Sequence, residues 1–139
     1  ITFDDALGRA GVPTGRYRWV LRTDRPTEPA GPFKGDLIVT MRWLTPQQAI
    51  TAVQVSARFP FNHGAPIHIG DPAGIGADIE APMFGGPVPA MPAGLTAAFW
   101  ACGVTPQAAA ENAKLPLFIT HAAAHSFITD LPADRLMTS

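Results

Sequence analysis

Cysteine is nearly absent: Cys102 is the only one in the 139-residue sequence, so no intrachain disulfide can form. A reducing, cytoplasmic setting is the expectation. Charge is also sparse. Charged residues make up 15% of the chain, the net charge is −1, and the ten Lys and Arg are scattered. That excludes the basic stripe a non-specific nucleic-acid binder needs for counterion release. No polybasic run suits an anionic membrane surface. No apolar run approaches the roughly 20 residues of a membrane span, and no signal-peptide pattern opens the chain. The first residue is Ile1, not Met, and a helix start follows at once, so the chain reads as part of something longer.

What is present is apolar material. Hydrophobic residues reach 47%, enough for a core at this length. The 15 prolines and 13 glycines are interleaved with patterned segments and read as turn punctuation. A single globular unit over 1–139 is expected, with a smaller α+β lobe around residues 14–90 inside it.

The pattern predicts elements as follows. ITFDDALGRAG reads as a short helix, with Thr2 as N-cap, Asp4 and Asp5 at its positive end and Gly11 closing it. Alternation in RYRWVLR predicts a half-buried strand over 16–22. Residues 23–36 read as a loop. DLIVTMRWL predicts a strand over 37–44 with Leu37, Val39, Met41 and Trp43 on one face. TPQQAITAVQVSARF predicts a helix over 46–58: Thr45 caps it, Pro46 takes the first position and Gln48 completes a capping box. Its apolar stripe is read as Ala49, Ile50, Val53 and Ala57. APIHI is a short strand (65–69), and residues 70–96 read as a surface excursion. A strand over 97–102, a helix over 106–114 capped by Thr105, and a strand over 116–120 follow, with HSFITDL a further strand candidate. The fold class is mixed α/β, of the α+β kind, a layered sheet-and-helix domain. Strand, turn, helix and strand in FWACGVTPQAAAENAKLPLFITH predict a βαβ unit near the C-terminus, with parallel strands.

Ionisable groups gather at RFPFNHGAPIHIGDPAGIG. His63 falls in a turn, His68 on a strand and Asp71 in the next turn. These are candidate acid and base groups; the alternative is a turn histidine and a strand histidine with local hydrogen bonds. The sequence offers no phosphate-loop pattern there, because the required lysine is missing. Gly70, Gly74 and Gly76 permit positive φ or close approach. At FWACGVTPQ a buried-type strand runs into a helix start, a usual place for a bound anion in α/β sheets. Cys102, Gly103 and Thr105 are substrate-binding candidates; a lone cysteine in such a place is more often simply buried. THAAAHSFITD adds His121 and His125 as candidate acid and base groups or a structural pair. Arg42 lies among apolar neighbours, and Arg58 ends a helix. Either could grip a carboxylate in bidentate fashion, or pair with Asp36 or Asp71. No metal site and no cofactor are called for.

Taken in order, AGPFKGDLIVTMR, AITAVQVSARFPFNHGAPIHIGDPAGIG, FWACGVTPQ and FITHAAAHSFITDL resemble a bacterial family of proposed hydro-lyases related to part of the mitochondrial D-glutamate cyclase. The resemblance runs from TFDDALGRAGVP to ITDL. It implies that this chain is the C-terminal half of a longer family protein. It departs at Ala123-Ala124, where the family has Pro-Gly, and at PMFGGPV, where the family has an acidic stretch. What it implies for function is a lyase acting on a small carboxylate, with D-glutamate closing to 5-oxo-D-proline as the specific case. A homo-oligomer is compatible with it. The alternative is a domain that binds a small carboxylate without turnover, or an inactive fragment.

Overall fold

A computed structural model describes residues 3–15, 17–122, 125 and 127–138. The Thr2 cap, the Arg16 start of the first strand and the Ala123-Ala124 turn lie outside the described residues. The elements in order are α1 (Asp4–Arg9), β1 (Arg18–Pro26), β2 (Asp36–Leu44), α2 (Pro46–Ser56), β3 (His68–Ile69), β4 (Thr96–Ala101) and α3 (Thr105–Asn112). Short 3-10 turns stand at Pro72–Ile75 and Ala133–Leu136. The four strands form one sheet in the order β1-β2-β4-β3, and every neighbouring pair is antiparallel. Helices plus an antiparallel sheet make this an α+β fold.

Alternation along β2 sorts the sheet into two faces. Val39, Met41 and Trp43 join Trp19, Leu21, Ala97 and Phe99 in one buried cluster, as the sequence pattern predicts. The other face carries Leu44, Ala98 and Trp100, packed under α1 and α2 through Phe3, Leu7, Ala49, Ala52 and Phe59. The capping box of α2 is present in both directions, between Thr45 and Gln48. Its buried stripe is rotated from the expected one, however. Ala49, Ala52 and Ser56 face the core, while Ile50 and Ala57 are exposed. Small residues win the inner face because α2 lies close over Trp100. Ser56 shows this directly: its hydroxyl donates to the Ala52 carbonyl (2.6 Å) and accepts the Trp100 indole N–H (3.1 Å). Ser56→Ala would leave that buried indole N–H without a partner. A loss of about 1–3 kcal/mol is expected, read as a lower denaturation midpoint by tryptophan fluorescence.

The βαβ unit is not formed. Residues 116–120 are not a strand, and β4 is antiparallel to both its neighbours. The physical reason is occupancy. A parallel return strand must lie in the same sheet, and β2 and β3 already hold the two sides of β4. Thr105 is not the cap of α3 either. It is the first helical residue, and its hydroxyl accepts from the Ile38 N–H (3.1 Å) and also lies 3.2 Å from the Ile38 carbonyl, tying the helix start to β2.

Two stretches read as loop do more. β1 continues to Pro26, with Thr23 buried and its hydroxyl donating to the Leu37 carbonyl (2.7 Å). The 70–96 excursion guards the outer edge of β1. Val20 N–H donates to Phe84 O, Met83 N–H to Val20 O, Asp24 N–H to Gly76 O and Asp78 N–H to Arg22 O. Ile75 and Ala77 join the core. Covering that edge satisfies its free N–H and C=O groups. Gly85 makes the approach feasible. Its φ is +104°, and a Cβ there would sit 2.5 Å from Arg18 O and 2.8 Å from Trp19 Cδ1. Gly85→Ala is expected to cost about 1–3 kcal/mol through strain and collision; an unchanged urea midpoint would count against this reading.

Candidate functional site

The helix-covered face of the sheet holds a buried ion pair. Arg42 is fully buried, and its Nη2 donates to Asp4 Oδ1 at 2.6 Å. The expected partners do not serve: Asp36 approaches Arg22 instead (3.8 Å), and Asp71 is committed locally. Asp4 comes from the first turn of α1, which lies over β2, and Arg18 also approaches it at 3.7 Å. The guanidinium stands over the Trp100 ring, 5.6 Å from its centroid, a cation–π arrangement. Among the described residues, Arg42 Nε and Nη1 are buried with no hydrogen-bond partner. A buried cation with two unmatched donors is costly. Such features concentrate at functional sites rather than in plain cores.

His63 completes this cluster. The turn after α2 carries it back to the carboxyl end of β4, where its Nδ1–H donates to the Ala101 carbonyl (2.7 Å). Its ring meets Phe3 edge-on at 5.8 Å, and Phe3 in turn lies 6.1 Å from Trp100. Burial is the main influence on its proton affinity and pushes its pKa below the usual histidine value; the Ala101 carbonyl and Asp4 oppose this, and Arg42 reinforces it. A neutral ring with Nδ1–H fixed on a carbonyl keeps its lone pair on Nε2, the form a general base requires. Among the described residues Nε2 has no hydrogen bond.

His68 stands elsewhere. It pairs with Phe99 across β3 and β4, and its ring lies against Phe99 (5.4 Å) on the opposite face from Trp100. Its Nε2–H donates to the Asp71 carbonyl (2.8 Å), while the Asp71 carboxylate accepts from Ala73 N–H and starts the 3-10 turn. Gly74 closes on this ring: a Cβ there would come within 2.8 Å of His68 Cε1. His68 and Asp71 therefore form a self-contained turn, on the far side of the sheet from His63.

His121 meets the start of α3. Its Nδ1–H donates to Ala122 O (2.8 Å), and Gln107 Nε2 lies 3.3 Å from its Nε2 and 3.0 Å from the Thr120 hydroxyl. His125 is exposed, and its backbone N–H donates to Ala122 O. Cys102 is half-buried at the end of β4, where its N–H donates to Ile38 O; Gly103 is exposed beside it. Arg58 is on another flank, lining a cavity of about 300 Å³ with Arg9, Phe59, Asp134 and Met137. The carboxyl end of β4 thus gathers His63, Cys102, Gly103 and Thr105, with His121 along the first turn of α3. Arg42 and Asp4 lie beneath. Sequence reasoning missed Asp4 and Phe3 as neighbours of His63, and Trp100 as the ring under Arg42. The acidic pair opening α1 was visible only as a helix-end preference. No group of three or more His, Cys, Asp or Glu among the described residues is placed to hold a metal ion. Likewise no helix among them is long and apolar enough to cross a membrane.

Known proteins match this chain over nearly its whole length. The pattern of a family described as D-glutamate cyclase matches residues 1–130. A Rhodopseudomonas palustris protein named "Putative hydro-lyase" is 57% identical over 141 residues, covering 97% of this chain and 52% of the relative. A Methylobacterium radiotolerans protein of the same naming is 53% identical, covering 94% and 50%. One from Geobacillus kaustophilus is 47% identical, covering 97% and 53%. The chain spans about half the length of the curated relatives it matches. With its family pattern running through the β4–α3 turn and both histidine-bearing loops, this chain belongs to the D-glutamate cyclase family.

Proposed function

We propose that the chain forms part of a hydro-lyase acting on a small amino or hydroxy acid, with D-glutamate closing to 5-oxo-D-proline as the specific reaction. In that reaction the amine nitrogen bonds to the side-chain carboxyl carbon, one carbon–oxygen bond breaks, and the oxygen leaves as water. The amine must first give up a proton, and the leaving oxygen must receive one. The observation that carries the reading is His63: an imidazole kept neutral by burial, its tautomer set by Ala101 O, at the end of β4. Its Nε2 is the proposed proton acceptor. The Gly103 and Gln107 N–H groups flanking the start of α3 are the proposed hold for a substrate carboxylate, with Thr105 fixing that turn through its bonds to Cys102 O and Ile38. His121, fixed by Gln107, is the proposed second group of the site. Arg42 sits too deep to touch a substrate; its proposed part, with Asp4, is to set the charge behind His63. Holding amine and carboxyl together can supply up to roughly 7–11 kcal/mol of the barrier.

The test is to incubate the protein with D-glutamate and follow 5-oxo-D-proline by chromatography. Formation that depends on His63 supports the reading. Binding of 5-oxo-D-proline or D-glutamate by calorimetry with no product would favour the second reading, a carboxylate-binding domain without turnover. A cytoplasmic setting, which the unpaired Cys102 fits, belongs to the same proposal.

A further inference from the structure

Beyond β4 and α3 the chain exposes a cluster of large apolar side chains. Ile119, Phe127 and Ile128 are 85%, 86% and 89% exposed, and Leu117, Phe118 and Leu131 are also open to solvent. Between Lys114 and Asp130 there is no Asp, Glu, Lys or Arg. A segment meant to face water is normally broken by charge, most of all where its pattern favours strand pairing. LPLFIT has that pattern, yet among the described residues it joins no strand, and both sides of β4, the strand that precedes it, are taken. Isolated apolar side chains on a surface are ordinary, but a run of this length without charge is not. Two further facts say what covers it. The family pattern extends through this segment to residue 130, and the relatives carry about as much chain again as this one spans.

We propose that residues 117–119 and 127–131 are the docking face for the remaining half of the family's polypeptide, which packs an apolar layer on them and offers a strand edge to LPLFIT. The covering half then lies beside His121, at the border of the site. This inference does not depend on the reaction being right.

Hydrogen exchange tests it, comparing this chain alone with the full-length Rhodopseudomonas palustris relative. Amides of 117–119 and 127–131 are expected to exchange rapidly in the chain alone. In the relative, the matching amides should be slowed at least about 100-fold. As a second measurement, Ile119→Asp and Ile128→Asp should leave the melting temperature of the chain alone unchanged, because both side chains are exposed. The matching substitutions should lower that of the full-length relative. Rapid exchange in both proteins would overturn the proposal. So would protection in the chain alone; if that protection grew with concentration, a second copy would be the occupant instead.

Discussion

His63→Gln is expected to lower the rate of 5-oxo-D-proline formation by about 10²–10⁴-fold, the usual share of a general base. Glutamine keeps a polar side chain that can still reach the Ala101 carbonyl but has no proton-accepting nitrogen. The loss should therefore fall on turnover, with far-UV circular dichroism and the oligomeric state unchanged. The wild-type rate should hold level above the depressed pKa and fall as pH drops through it, since protonation fills Nε2. Stability carries the same signature. The folded state binds the His63 proton less readily than the unfolded chain, whose histidine titrates near about 6.5. Between those two values the unfolded state holds more protons, so stability rises with pH and is fully present above the unfolded value. It is lost as pH falls toward and through the folded pKa. His63→Gln should flatten that part of the stability–pH profile. A variant with wild-type rate would remove His63 from the mechanism.

Asp4→Ala is expected to be the most destabilising single change on the helix-covered face, by about 3–5 kcal/mol. Arg42 has no exposure at all, and Asp4 is the carboxylate it reaches. Without it, a full positive charge stays buried against Trp100 with three unmatched groups where there were two. Arg42→Leu should cost less. It removes the buried charge, and the Asp4 side chain, 23% exposed and 3.7 Å from Arg18, can still be solvated and paired. The order Asp4→Ala worse than Arg42→Leu is the discriminating result, read from urea midpoints at pH 7. The reverse order would mean that Arg42 contributes chiefly by packing its stem. Asp4→Ala also withdraws a carboxylate that raises the His63 pKa. The acid limb of the rate profile should therefore move further down in that variant, where it stays folded.

Several features were legible because they are local. The Thr45–Gln48 capping box needs only three residues of spacing. The buried face of β2 follows from a period of two, and Val39, Met41 and Trp43 lie where that period places them. LPLFIT reads as a strand from its own pattern, but no local stretch says whether a sheet edge is free to receive it, and residues 116–120 form none. The rotated stripe of α2 shows a different limit: Ile50 is more hydrophobic than Ser56, yet Ser56 is inside because Trp100 needs a hydrogen-bond acceptor there.

Composition and short-range pattern were enough to set the chemical inventory, the kind of elements and the α+β class, since propensity, capping and alternation act over a few residues. Which groups meet was decided by folding alone. Arg42 and Asp4 stand 38 positions apart, and so do His63 and Ala101. His63 and His68, five positions apart, end on opposite faces of the sheet. The reason is that strand order and helix placement come from the joint burial of many side chains, and no local stretch encodes which edge of β4 will already be occupied.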